Sequence, residues 1–187
     1  MFRRIAYVAA FVATAFVVAC GGSGSGIDTA EIQAFGTAAQ GVSSAVEDYG
    51  VAAAAMTSPA TCASVHATYD GRARPLVGQM QGMGPAMDAM MGSMGHMDAE
   101  DFGCSADAMR AELDRHAAAA CASPTDVSVD AAEARQHVAA MEQWAGHAIG
   151  RDHDLASMAG MPMGGMGGGA TGGHCVRGAG GTFTLQP

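Results

Sequence analysis

The sequence predicts an all-α protein, an antiparallel up-and-down four-helix bundle, and three observations carry that prediction. Four segments place apolar residues at alternating spacings of three and four, so each presents one apolar stripe. The breaks between them are short and rich in proline, glycine, serine and acidic residues, which joins neighbouring helices antiparallel. Alanine, glycine and methionine are plentiful, while leucine is confined to Leu76, Leu113, Leu155 and Leu185. Such a core is thin, with thioethers where leucine usually sits. The chain of 187 residues has room for one domain, and the bundle is expected over residues 28–158.

In the first helix, Asp28 or Thr29 is a natural cap, and Ile32, Phe35, Ala39, Val42, Val46, Tyr49, Ala53 and Met56 form the inward stripe. Thr57-Ser58-Pro59 ends it, and the proline suits the first turn of a second helix. That second helix organises the rest, through a stripe of Cys62, His66, Tyr69, Ala73, Leu76, Met80, Met83, Met87, Met90 and Met94. Pro85 is expected to kink or break it around Gly82 to Gly84, which leaves the conformation of the stretch up to Glu100 open. Asp98 is a candidate cap for a third helix with Phe102, Ala106, Met109, Leu113, His116 and Ala120 inward, and the acidic run 98–101 favours a helix start. After Ser123-Pro124-Thr125-Asp126 a fourth helix begins near Ser128 or Asp130. It buries Ala134, His137, Met141, Trp144, Ala148, the stem of Arg151, and Leu155. Residues 159–187 are too rich in glycine to continue it and are expected to form a flexible Gly/Met-rich tail, with a short extended end at Thr182 to Leu185.

Ahead of the bundle, Arg3 and Arg4 precede an apolar run from Ile5 to Val18, and Val17-Val18-Ala19-Cys20 closes it. The run falls short of the roughly 20 residues that span a bilayer, so it reads as an export signal. This segment resembles the signal and lipobox of bacterial lipoproteins. The resemblance covers residues 1–20 and implies a signal peptide of residues 1–19, lipidation of Cys20, and a membrane tether outside the cytoplasm through that lipid anchor. Ordinary secretion, with Cys20 discarded, is the alternative. Gly21 after the cysteine implies, by the lipoprotein sorting pattern, the outer membrane facing the periplasm. Residues 20–27, mostly glycine and serine, then supply a flexible tether. A formal net charge of −9, with no lysine, disfavours nucleic acid as a partner.

Beyond Cys20 four cysteines remain, and an oxidising compartment makes two disulfides the expectation. Cys104 and Cys121 are 17 positions apart on one helix, roughly 25 Å at its rise per residue, too far to bond each other. In an up-and-down bundle the start of the second helix lies beside the end of the third, favouring Cys62–Cys121. Cys104–Cys175 then closes through the tail.

With Cys62 level with Cys121, antiparallel counting brings His66 opposite His116, and His137 returns to the same layer with Glu133. Three imidazoles with Glu112 and Glu133 are what a bundle needs to hold copper, zinc or iron between helices. The competing reading is a polar layer in which these histidines hydrogen-bond Glu112, Glu133, Tyr49 or Tyr69. The spacing Glu-x-x-x-His differs from the Glu-x-x-His of ferritin-like di-iron bundles, and no Cys-x-x-Cys-His motif supports covalent haem. A second candidate is a methionine belt around Met90, Met94, His96 and Met97, echoed by Met158, Met161, Met163 and Met166. Thioethers favour Cu(I), and the belt superficially resembles the Met/His tracts of periplasmic copper-handling proteins. Core filling and an oxidant sink compete with that reading. His147, His153 and His174 are expected to be solvated. The sequence thus favours a non-enzymatic, membrane-tethered lipoprotein that binds a soft or borderline metal, copper first. Its alternatives are a structural lipoprotein that docks an envelope protein partner, then a metal-dependent enzyme using His66, His116 and His137. Oligomeric state is left open.

Overall fold

The computed structural model describes residues 28–95, 100–123, 125–161 and 173–186. Four helices, α1 (Thr29–Ala54), α2 (Pro59–Ser93), α3 (Asp101–Ala119) and α4 (Val127–Met158), are followed by two short strands, β1 (His174–Arg177) and β2 (Phe183–Gln186). Each helix packs chiefly against two others: α1 and α3 both lie between α2 and α4. That ring is the up-and-down bundle the stripes predict.

The helix starts follow their local chemistry. Asp28 accepts hydrogen bonds from the Ala30 and Glu31 amides, Ser58 from Thr61, and Asp126 from Ser128, each quieting a donor the helix itself leaves unused. The start of α3 is different. Asp98 lies outside the described residues, and Glu100 makes no side-chain cap. The role passes to Asp88 of α2, whose two carboxylate oxygens accept from the amides of Phe102 (2.9 Å) and Gly103 (3.1 Å). An anion at the positive end of α3 is favoured by the helix dipole, and it also fixes how α2 crosses α3.

The expected break in α2 does not occur: the helix runs unbroken from Pro59 to Ser93 through Pro75 and Pro85. Both prolines are on the exposed face, so the carbonyls they leave unpaired can be solvated. The buried stripe also rotates away from the one predicted. It runs through Tyr69, Ala73, Val77, Met80, Gly84, Met87 and Met91, so Leu76, Met83, Met90 and Met94 are only partly buried at its edge. Over this length a straight helix keeps its period of 3.6, and a tighter stripe drifts off the core. Gly84 is buried for a steric reason, because a Cβ there would lie 2.7 Å from Gly103 Cα. At this crossing the backbones of α2 and α3 touch.

The predicted disulfides Cys62–Cys121 and Cys104–Cys175 are both present, each with Cα atoms 5.8 Å apart. Cys121 sits just past α3 in the left-handed region (φ 56°), a position usually given to glycine but here occupied by the residue whose sulfur is needed. Of the expected flexible tail, residues 162–172 and 187 lie outside the described residues, and two short strands form in the rest. Residues 174–177 and 183–186 pair as an antiparallel hairpin, its β2 coinciding with the predicted extended end, and β1 packs on α3 beside Cys104. No helix among the described residues is long and apolar enough to cross a membrane.

Candidate functional site

The polar residues that stripe counting gathers do meet. Tyr49 of α1, Tyr69 of α2, His116 of α3 and His137 of α4 are all buried in one layer near the Cys62–Cys121 end. They form two chains of contact. Tyr69 Oη lies 2.8 Å from His137 Nε2, and His137 Nδ1 lies 2.7 Å from Glu112 Oε1. Tyr49 Oη lies 2.9 Å from His116 Nε2, and His116 Nδ1 lies 2.5 Å from Glu133 Oε2, off the line of a good hydrogen bond. With each phenol donating to Nε2, the imidazole proton sits on Nδ1, facing the carboxylate.

Exchanging α1 with α2 and α3 with α4 maps one chain onto the other. The two imidazoles stack at 3.9 Å between centroids, 9° from parallel, and the two phenols stack at 4.4 Å. Each glutamate therefore serves the histidine of the opposite helix, not the one four residues along its own. Arg115 bridges the two halves, donating to both oxygens of Glu112 at 2.6 and 2.7 Å and approaching Glu133 at 3.0 Å. His66 packs edge-on against His116 at 4.9 Å, with its Nδ1 buried and unbonded.

The electrostatics follow from burial and this pairing. Burial, then the neighbouring His137 and His66, lowers His116 to about 3, so the stacked ring is neutral. His66 is lowered as well, mainly by burial. Burial raises Tyr49 to about 12 and pushes Tyr69 up further. Burial works against Glu112, but hydrogen bonds from Arg115 and His137 outweigh it and bring the carboxyl down to about 2. In Glu133 burial wins over Arg115 and the group is raised.

All five predicted interior residues, His66, His116, His137, Glu112 and Glu133, are thus together, in the arrangement of the hydrogen-bonded polar layer. The ring nitrogens of His116 and His137 face tyrosines and glutamates, and their rings stack instead of converging. Among the described residues no three or more His, Cys, Asp or Glu side chains are grouped as a metal ion requires. In the belt, Met90 and Met94 pack partly buried on the rim of the core, as does Met161, and Met158 is exposed. His96 and Met97 lie outside the described residues, as do Cys20, Met163, Met166 and the signal and tether of residues 1–27.

A second polar cluster lies at the opposite end and escapes the stripe analysis. Asp101, the first residue of α3, is buried, accepts from Arg151 Nε at 2.7 Å and contacts Arg151 Nη2, lies 3.2 Å from His174 Nδ1, and accepts the Cys175 amide at 2.7 Å. It pins the hairpin beside the Cys104–Cys175 bridge. His147, expected to be solvated, is in the core, with both ring nitrogens unbonded and Nε2 3.9 Å from Asp101 Oδ1. His153 is partly buried, and His174 is bound to Asp101. Residues 147 and 151 share a helical spacing of four on α4, but nothing in the sequence links them to residues 101 and 174, so no one-dimensional pattern brings the four together. Neither a family model, nor a curated protein, nor a solved structure matches this chain.

Proposed function

We propose that the chain is a non-enzymatic, lipid-anchored protein of the bacterial cell envelope, whose bundle is held off the membrane on a short tether and docks another envelope component. The observation that supports it best is the pair of disulfides, each closing a long stretch of chain between bundle elements. Bonds of this kind persist outside the cytoplasm, where the signal-like residues 1–19 would direct the chain, with Cys20 as the lipid attachment point. A docking role fits a layer in which His116, His137 and the two tyrosines are bound to one another and not turned toward a metal ion. Fatty-acid labelling tests the anchor: label is expected in the wild-type chain and absent from Cys20→Ala. Cross-linking in intact cells tests docking, and a bundle that captures no envelope protein would defeat that half of the reading.

Copper binding at the methionine belt is the second reading. It is favoured by Met83, Met90, Met94 and Met161, which stay at the rim of the core, whereas Met80, Met87 and Met91 are sealed inside it. Soft thioethers on a rim suit Cu(I). Titration with Cu(I) should raise the melting temperature, and replacing Met90, Met94 and Met97 together should remove that rise. The histidine layer is a separate target, tested by replacing His66 and His116.

A further inference from the structure

We propose that the stacked Tyr49–Tyr69 pair is a one-electron donor to small oxidising radicals, with His116 and His137 as the internal acceptors of the phenolic protons. The chemistry requires three things of a phenol, and the layer supplies each. A phenol gives up an electron readily only if its proton leaves with it, so a base must stand within hydrogen-bond reach. Tyr49 and Tyr69 have imidazole Nε2 at 2.9 and 2.8 Å. The base must be able to take the proton. Glu112 is hydrogen-bonded to the far nitrogen of His137 and compensates its charge. Although burial disfavours a charged His116, the radical cation of a phenol is a far stronger acid than an imidazolium, and Glu133 stands 2.5 Å from the His116 Nδ1. The electron hole must also be reachable. The tyrosines, each 3 % exposed, line a groove of about 340 Å³ between α1 and α2, beside the small side chains of Ala45, Ser64 and Thr68 and the Asp48–Arg72 ion pair, and a small radical entering it comes up to the ring edges.

The step balances within these groups and the oxidant. A radical such as nitrogen dioxide takes one electron from the phenol and becomes nitrite. The O–H bond of the tyrosine breaks, and an N–H bond forms at Nε2 of its histidine. The products are a neutral tyrosyl radical, an imidazolium held by a glutamate, and the reduced anion. Stacking at 4.4 Å lets the hole be shared between the two rings, and the doubled arrangement gives each ring its own base. His116 and His137 are positioning groups and proton acceptors, and they do not touch the oxidant.

The full chain carrying Tyr7→Phe leaves Tyr49 and Tyr69 as its only tyrosines. Oxidising it with azide radicals generated by pulse radiolysis, then freezing it for electron paramagnetic resonance, should give a tyrosyl signal that Tyr49→Phe with Tyr69→Phe abolishes. A radical that stays on Trp144, or no tyrosyl signal at all, overturns the proposal. His116→Gln and His137→Gln keep a hydrogen-bond acceptor but no base, and should shorten the radical lifetime by about tenfold or more, the loss of one charge-assisted hydrogen bond. An unchanged lifetime overturns the proton-acceptor role. In the Tyr7→Phe chain, the radical formed in deuterium oxide should show one strongly coupled exchangeable deuteron, held on the imidazolium Nε2 and hydrogen-bonded to the phenoxyl oxygen, and its absence has the same consequence.

Discussion

Asp152 of α4 places its Oδ2 where a side chain at residue 36 of α1 would stand, so Gly36 is the space that admits a buried carboxyl. Its Oδ1 has no hydrogen-bond partner, and burial alone raises the group to about 7. A folded-state value above the unfolded one means that the favourable contribution is complete below the unfolded value and lost as pH rises through the folded one. Asp152→Asn should therefore gain on the wild type by about 2–3 kcal/mol between about pH 5 and about pH 8. Chemical denaturation of both proteins across that range checks the sign, and a pH-independent difference would contradict it.

Gly84 makes a different kind of demand, one of contact between backbones. Gly84→Ala pushes a methyl into Gly103 Cα and should cost about 1–3 kcal/mol, because neither helix can yield locally. Gly78, in the same helix, has open space around it, so Gly78→Ala should stabilise by about 0.5–1 kcal/mol through helix propensity. Opposite signs in urea midpoints from two identical substitutions are the expected result.

Asp88 is expected to behave as a helix cap although it belongs to another helix. Asp88→Ala strips the Phe102 and Gly103 amides of their acceptor and should cost about 1–2 kcal/mol, with Asp88→Asn milder because one acceptor oxygen survives. Hydrogen exchange should quicken first at those two amides. Equal losses for the two variants would argue that charge, and not hydrogen bonding, holds the start of α3.

Much of this architecture is legible one residue at a time, and the limits have a physical origin. Alternating spacings identify which face of each helix is buried, and counting from Cys62 and Cys121 is enough to bring His66, His116 and His137 into one layer. Partner identity is a different matter. Whether Glu112 serves His116 or His137 depends on how α3 and α4 are rotated about their axes, which spacing along one helix does not encode. The same holds for Asp88, for Gly36 with Asp152, and for Asp101, whose partners are 50 to 74 residues away in the chain. Pro85 misleads for a simpler reason: its effect depends on whether it faces water, and it does.

Three fastenings hold the hairpin to α3, the disulfide, Asp101 and an exposed Arg177–Asp107 ion pair, of which the exposed pair is worth least. Cys104→Ser with Cys175→Ser removes the covalent one, but Asp101 still accepts the residue 175 amide and binds Arg151 and His174. Proteolysis after residue 172 is therefore expected to stay slow in that variant and to become fast only when Asp101→Asn is added. Fast cleavage on loss of the disulfide alone would show that Asp101 contributes little.

Acid should attack the opposite end of the bundle first. His116 is lowered to about 3 by burial and by the neighbouring His137 and His66, well below the unfolded value of 6.5. A lowered base contributes stability that is present above the unfolded value and lost as pH falls toward the folded one. Protonation in the unfolded chain, with the folded ring still neutral, should remove about 2–3 kcal/mol between about pH 6.5 and about pH 4.5. Over most of that window Glu112, already lowered to about 2, stays ionised and adds little to the slope. Asp152 slopes the other way over part of the same window, so the readout is the difference between variants: His116→Gln, which has nothing to titrate, should gain on the wild type by about 2–3 kcal/mol as pH falls from about 6.5 to about 4.5. A difference between His116→Gln and the wild type that does not change with pH would assign the acid sensitivity to another group, and the neutrality of His116 would lose its support.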